Sequence, residues 1–533
     1  MKKYIISALI LISVQTAFAQ DFFDALRFSQ TEYGGTARSI AMGSAFGALG
    51  GDFISASINP AGMGLYRSSE FSFSPTLNLN QTSSSYLGNT EPGDRYNFNF
   101  NNLSWVTNAK TNATTGVLSF TLGVGYNRLK NFSSDTYIQG FGSNTTLLNY
   151  FTDYANNSNG VNSFDYHYEG MAYNAWLIDE DTDPAVIEGI YYNDLTDYSS
   201  YDVTDAAGNY LGIGYEATGV KAHQQKSSIQ RSGHVDEYII STAVNINNKV
   251  YVGATLGLLD LIYTENTMFS EIDNENKSDY FKDYTLETNR SESGFGINFK
   301  TGIIYRPSKS LRFGAAFSTP NFYDISRIED KGIVANYDQE IGNDANGYDT
   351  QYKSSDDIKY NYSLQTPLKA NFSAAYTIGD VALLSIDYEL VNYSRAKFRD
   401  SGDNYDYSDQ NSDIYNTLKS TGNIRIGGEY RLTPNFSLRG GYNLFGNPWK
   451  SSYTFTDGTS SDILNKNDTY SSYSAGAGYR VNNFYVDFAY RLSTLNYSHQ
   501  VHEVYYTNPS EVNPIAKINE VNNQATLTFG FRF

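Results

Sequence analysis

The chain has 533 residues, with no cysteine, 44 glycines, 47 tyrosines, 32 phenylalanines and a formal net charge of −19. The absence of cysteine excludes disulfides, thiolate metal sites and a thiol nucleophile, and the negative charge, with no cluster of Lys and Arg along the sequence, excludes nucleic acid as a partner. Charged residues make up 18% and apolar ones 40%, both below the roughly 25% and 45–50% of soluble domains, yet the 15% of aromatic residues gives more burial capacity than a disordered chain carries.

The first segment reads as an address label. Lys2 and Lys3 precede an apolar run from Tyr4 to Val14, and Ala17-Phe18-Ala19 has the small residues of a signal peptidase site; residues 1–19 are expected to be a secretory signal peptide. That run is too short to cross a bilayer, and no later one reaches the ~18 consecutive apolar residues a helical span needs. In a membrane, such a chain is viable only as a closed β-barrel.

Residues 20–68 do not alternate. They are rich in Gly, Ala and Ser and include Asn59-Pro60-Ala61-Gly62. Small residues allow close packing, so this piece is expected to fold back into a barrel lumen as a plug; an ordinary Asn-Pro turn is the other reading of the tetrapeptide.

From residue 69 to 533 a period of two dominates. Leu118, Phe120, Leu122, Val124 and Tyr126 alternate with Ser119, Thr121, Gly123, Gly125 and Asn127; Phe295, Ile297 and Phe299 alternate with Gly296, Asn298 and Lys300; Leu384, Ile386 and Tyr388 alternate with Ser385, Asp387 and Glu389. About fourteen such segments predict an all-β fold, a transmembrane antiparallel barrel of even strand number with the plug inside. Arg312, Lys369, Asp387, Glu389, Arg425, Glu429, Arg439, Asp487 and Arg491 fall on the non-lipid faces, which suits a wet, charged lumen. Soluble antiparallel sandwiches are the competing architecture.

Connections alternate between short and long. Asn247-Asn248-Lys249 and Gly379-Asp380 are short turns, whereas Asn80 to Arg95, Asn321 to Asp357, Arg395 to Ser420 and Asn443 to Asn467 read as long acidic loops. The longest, about 131–233, is too long for a passive connection. It holds two apolar stretches, with Leu147, Leu148, Phe151 and Tyr154 in one and Met171, Trp176 and Leu177 in the other, expected to be short helices over the barrel mouth. The terminal strand, Ala525 to Phe533, ends on an aromatic and is similar to the strand that outer-membrane proteins present to the barrel assembly machinery.

The non-alternating segment with Asn59-Pro60-Ala61-Gly62, placed before the first of about fourteen strands, resembles the hatch of the FadL/TodX family of outer-membrane transporters for long-chain fatty acids and aromatic hydrocarbons. The resemblance covers the whole chain. It implies passive uptake of hydrophobic molecules across the bacterial outer membrane. Ligand would be captured in an apolar groove in the region of the two loop stretches, a hatch movement would open a path, and a kink in the third strand would give a lateral exit into the lipid. Gly123 and Gly125 are the kink candidates, with close packing inside the barrel as their alternative; the loop stretches pack on themselves in the alternative reading of that region. A monomer with no cofactor, no metal and no catalytic residue is expected. His499 and His502, at i,i+3, are weak zinc ligands, and the Asp400, Asp403, Asp406, Asp409 and Asp413 series lacks calcium-loop spacing. A diffusion porin or adhesion barrel would need no hatch. An outer-membrane hydrolase would need a Ser, His and acid constellation at the rim.

Overall fold

In the computed structural model, residues 22–533 are described apart from 188, 206–207, 279–280, 338–348, 354–356, 403, 451–469 and 504–513. The expected signal peptide and Asp403 lie outside the described residues. Fourteen strands form a closed antiparallel barrel. They begin with β1 (Glu70–Tyr86), β2 (Asn89–Lys110), β3 (Val117–Asn131, resuming at Ser134–Ser143), β4 (His223–Ile246) and β5 (Val250–Ile272). Then come β6 (Phe281–Tyr305), β7 (Leu311–Ser318, resuming at Phe322–Tyr337), β8 (Ile358–Gln365 and Lys369–Ile378) and β9 (Ala382–Asn392 and Lys397–Asp400). The last are β10 (Ser420–Arg431), β11 (Phe436–Phe445), β12 (Tyr470–Val481), β13 (Phe484–Gln500) and β14 (Ile515–Arg532). β14 closes on β1, with Phe531 opposite Phe71 and Phe529 opposite Phe73.

The alternation sets which face each side chain takes. Phe120, Leu122, Val124, Phe295, Ile297, Phe299, Leu384 and Ile386 are exposed on the outside, while their neighbours Thr121, Asn298, Lys300, Ser385 and Asp387 are buried inside. An apolar outer belt of this extent needs hydrocarbon around it. Turns at one end are tight. Asn247 and Asn248 both take positive φ, +57° and +55°, the pair of left-handed positions a type I′ hairpin requires.

At the other end two of the expected loops are strand. Asn80 to Arg95 is no loop: β1 and β2 stay paired from Asn80↔Arg95 up to Tyr86↔Asn89 and turn at Leu87-Gly88. Likewise Asn321 to Asp357 contains the second half of β7, paired to β6 from Ile297↔Phe322 to Phe281↔Tyr337. The β1–β2 extension carries Ser, Thr and Asn ladders without hydrophobic alternation, whereas the β7 extension does alternate and buries Tyr323, Ile325, Ile333 and Tyr337 on its inner face.

The lumen is filled by residues 22–66. They form α1 (Phe22–Ser29), α2 (Ala37–Ala41), α3 (Ser55–Ile58) and a 3-10 helix (Pro60–Leu65). Met42, Phe46, Phe53, Ile54 and Met63 are fully buried. Among the described residues no helix is long and apolar enough to cross a membrane.

Candidate functional site

The internal segment is held by close backbone approach. Asn59 caps the 3-10 helix by accepting from the Ala61 N–H at 3.2 Å, with Pro60 at the first helical position, where its missing N–H costs nothing. Its Nδ2 donates to the carbonyls of Gly47 at 2.6 Å and Ile303 at 3.4 Å, so one buried amide ties two turns of the segment to β6. The wall is cut away to receive it: a Cβ at Gly302 would overlap the Asn59 side chain, and one at Gly253 the Pro60 carbonyl.

Ion pairs complete the attachment. Glu429 of β10 accepts from Arg38 at 3.0 Å and from Arg439 at 2.7 Å, and Arg439 reaches Asp487 at 2.6 Å. Arg425, 1% exposed, lies 3.3 Å from Glu389, which also accepts from the Tyr33 hydroxyl at 3.1 Å. The Gly47 N–H donates to Asp387 at 2.9 Å, Ser57 donates to Glu237 at 2.7 Å, and Lys300 pairs with that same carboxylate. The lumen-facing charges expected in water are instead packed against the internal segment. Leaving one such charge without its partner costs roughly 3–5 kcal/mol, which holds the segment in one arrangement.

The barrel wall is interrupted on one side. Pairing of β2 with β3 ends at Asn102↔Asn127. Beyond it β3 slips register against β4 between Arg128 and Lys130, breaks at Phe132 and Ser133, and resumes at Ser134. The resumed part passes over the inner face of the β1–β2 hairpin, where the Asp135 carbonyl accepts from the Thr82 hydroxyl at 2.6 Å and its carboxylate pairs with Arg95 at 2.6 Å. β2 itself slips at Asn101, which has no partner in β1.

The internal segment fills the resulting notch. The Glu32 N–H donates to the Leu129 carbonyl at 2.8 Å, that of Gly34 to Arg128 at 2.9 Å, and that of Gly35 to Asn101 at 3.4 Å. Glu32 also pairs with Lys130 at 3.0 Å. Three residues of the segment thus take hydrogen bonds that a continuous β2–β3 ladder would use.

The distortion does not fall where the sequence placed it. Gly123 and Gly125 sit in regular register, opposite Val106 and Ser104 on one side and Ser241 and Ile239 on the other. A Cβ at Gly123 would press on Met63 and Phe53, and one at Gly125 on Phe53; both glycines make room for the segment. Asn101 and residues 128–133 were missed. Their signal was a phase change in β2: Tyr96, Phe98 and Phe100 face outward, and so do Leu103 and Trp105.

Above the barrel, the first apolar stretch is a helix, α4 (Leu147–Asn156), and the second is helical only in part, sharing Met171 to Asn174 with α5 (Glu169–Asn174). Leu147, Leu148, Phe151, Met171 and Leu177 are buried in one cluster with Phe269, Tyr284, Tyr337 and Ile518 of the strand extensions. Tyr154 packs at its edge, and Trp176 is 46% exposed with φ +61°. Thr146 caps α4 and donates to Glu271 at 2.6 Å; that buried carboxylate also receives Gln225 at 2.7 Å, Tyr284 at 2.6 Å and His223 at 2.9 Å.

These features define a transmembrane β-barrel with an internally occupied lumen and one breached wall. No family model matches the chain, and no curated protein matches it. Among solved structures it is similar to a Pseudomonas aeruginosa FadL homologue, at 12% identity and a TM-score of 0.50, covering 94% of this chain and 98% of that one. It is equally similar to the P. putida toluene transporter TodX, at 10% identity and a TM-score of 0.50, covering 94% and 99%. The fold is that of the FadL/TodX channels.

Proposed function

We propose that the protein lets hydrophobic molecules cross the bacterial outer membrane by passive diffusion, with residues 20–68 as the hatch and the notch between β2 and β3 as the exit. The observation that carries this reading is the hydrogen bonding of Glu32, Gly34 and Gly35 to the broken strands. A plug whose own backbone completes the wall cannot shift without unsealing it, so opening the lumen and opening the side of the barrel are one event. Molecules released there enter lipid directly, where burial of apolar area at roughly 25 cal/mol per Å² keeps them.

The filled lumen speaks against a diffusion porin, and the fold of two transport channels speaks against a hydrolase. The short-turn end faces the periplasm and the α4–α5 region the exterior, as is general for such barrels. Liposomes containing the purified protein should take up radiolabelled oleate or toluene faster than protein-free liposomes, with no increase in sucrose entry. Sucrose entry without faster oleate or toluene uptake would establish the porin reading instead.

A further inference from the structure

The short-turn end of the barrel carries charge opposite in sign to the chain as a whole. A cavity of about 340 Å³ there is lined by Arg67, Arg312, Arg431 and Arg480, and among the described residues none of these four pairs with a carboxylate. Three more guanidinium groups are already balanced: Arg38 and Arg439 by Glu429 and Asp487, and Arg532 by Glu70 at 2.5 Å. A second cavity, of about 900 Å³, shares Tyr66 and Arg67 with the first. It adds Lys110, Lys249, Arg306 and Lys309 and has no acidic residue in its lining. These eight cations are scattered from residue 67 to residue 480, so only the fold assembles them.

Their arrangement is incomplete without an anion. Arg312 donates to the Leu49 carbonyl at 2.6 Å, and its charged neighbours include Arg306, Arg67 and Arg38. The Nε of Arg312 and that of Arg306 are both shielded from solvent and have no hydrogen-bond acceptor. A buried donor without an acceptor is costly, and like charges so placed repel. An oxyanion in each cavity would relieve the donor that faces it and the repulsion, because guanidinium groups grip phosphate and carboxylate through paired N–H donors. Beside the cations stand Leu49, Leu65, Tyr66, Tyr251 and Tyr485, which give part of a polar lining an aliphatic and aromatic surface against which an alkyl chain can lie.

We propose that this pair of cavities is a binding site for the phosphate or carboxylate head of an amphiphilic molecule at the periplasmic mouth. The site is independent of what the lumen conducts. It is a cationic mouth on a protein of net charge −19, and its field draws anions to one end only.

The test uses the full-length protein purified in an uncharged detergent, titrated with dodecyl phosphate, dodecanol and inorganic phosphate. Dodecyl phosphate should bind saturably and more tightly than dodecanol, and the Arg306→Gln/Arg312→Gln protein should bind it about tenfold more weakly, with dodecanol unaffected. Competition by inorganic phosphate would identify a site filled by the free anion, and its absence a site that needs the amphiphile; either supports an oxyanion site. Equal binding of dodecyl phosphate to wild type and variant, or dodecanol binding as tightly as dodecyl phosphate, overturns the proposal. Arg67→Gln/Arg431→Gln, at two other cations of the lining, serves as a second variant should the first not fold, with the same loss expected.

Discussion

The Gly34 N–H of the internal segment lies 2.9 Å from the Arg128 carbonyl of β3, at the first residue past the point where β3 leaves β2. In an uninterrupted barrel that carbonyl would have a strand partner. The plug and the wall therefore share one set of hydrogen bonds, which ties the expected gate to the expected exit and makes the coupling testable.

Because the chain has no cysteine, a single engineered disulfide can lock this contact. The Glu32 N–H donates to the Leu129 carbonyl at 2.8 Å, which brings the Glu32 backbone beside that of Lys130, the close approach a disulfide needs. A Glu32→Cys/Lys130→Cys protein should transport oleate into liposomes at wild-type rate when reduced and at the rate of empty liposomes when oxidised. Unchanged transport in the oxidised form would show that the plug need not leave the notch.

Asn59 should matter for closure more than for barrel stability. Asn59→Ala removes a helix cap and leaves the Gly47 and Ile303 carbonyls without their donor, a loss of roughly 1–2 kcal/mol. The strand ladders are untouched, so the barrel should still resist unfolding by heat in detergent. The plug should loosen, and single-channel recordings in planar bilayers should show frequent openings absent from wild type. Asn59→Asp, which keeps the acceptor for Ala61 and loses the two donors, should fall between them.

Much of this architecture was legible in the alternation of residues such as Phe120, Leu122 and Val124, since outward side chains must be apolar on every strand that meets lipid. Asn59-Pro60-Ala61-Gly62 was legible as a special turn because its capping chemistry is local. The breach was not. It depends on a register slip at Asn101 that shows only as a change of phase between Phe100 and Leu103, and on a break at Phe132 and Ser133 in a polar run. Gly123 and Gly125 drew attention as the natural place for a kink, but what they accommodate is Phe53 and Met63, which lie sixty or more residues away in sequence. The β1–β2 extension was equally hidden: Ser83, Ser84 and Ser85 pair as strand beyond the membrane, where no hydrophobic face marks them.

Attachment of the α4 region should depend on pH. Burial pushes the Glu271 carboxyl up, but the adjacent His223 charge and hydrogen bond, with His502 and the Thr146 hydroxyl, outweigh it and hold the pKa at about 2. Burial pushes His223 down, and Glu271 more than compensates, so the imidazole titrates above its usual value. Glu271, depressed, contributes stability above ~4.3 that is lost as pH falls toward its folded pKa. His223, raised, contributes stability below ~6.5 that is lost as pH climbs through its folded pKa. The anchor is thus strongest between these limits. Amide exchange in residues 147–156, corrected for intrinsic rate, should be slowest near pH 5.5 and faster at pH 8.5. His223→Gln should abolish the difference on the alkaline side. Equal protection of wild type at both pH values would remove the ion pair from the loop's stability.

The seven apolar loop residues can be separated into packing and contact by two substitutions. Phe151 is buried among α4, α5 and the strand extensions, so Phe151→Asp places a charge in that cluster. It should make the loop sensitive to limited proteolysis, a loss of roughly 3–5 kcal/mol or more. Trp176 is exposed and holds a positive φ of +61°, a strained setting for a bulky side chain that costs on the order of 1–3 kcal/mol. Trp176→Gly should relieve that strain, leaving the loop at least as resistant to protease as wild type. If an exposed indole at the mouth captures ligand, the same substitution should weaken binding of a fluorescent fatty acid by about tenfold, the scale of burying one aromatic face. Wild-type affinity in Trp176→Gly, with loss only in Phe151→Asp, would assign the whole apolar pair of stretches to loop packing.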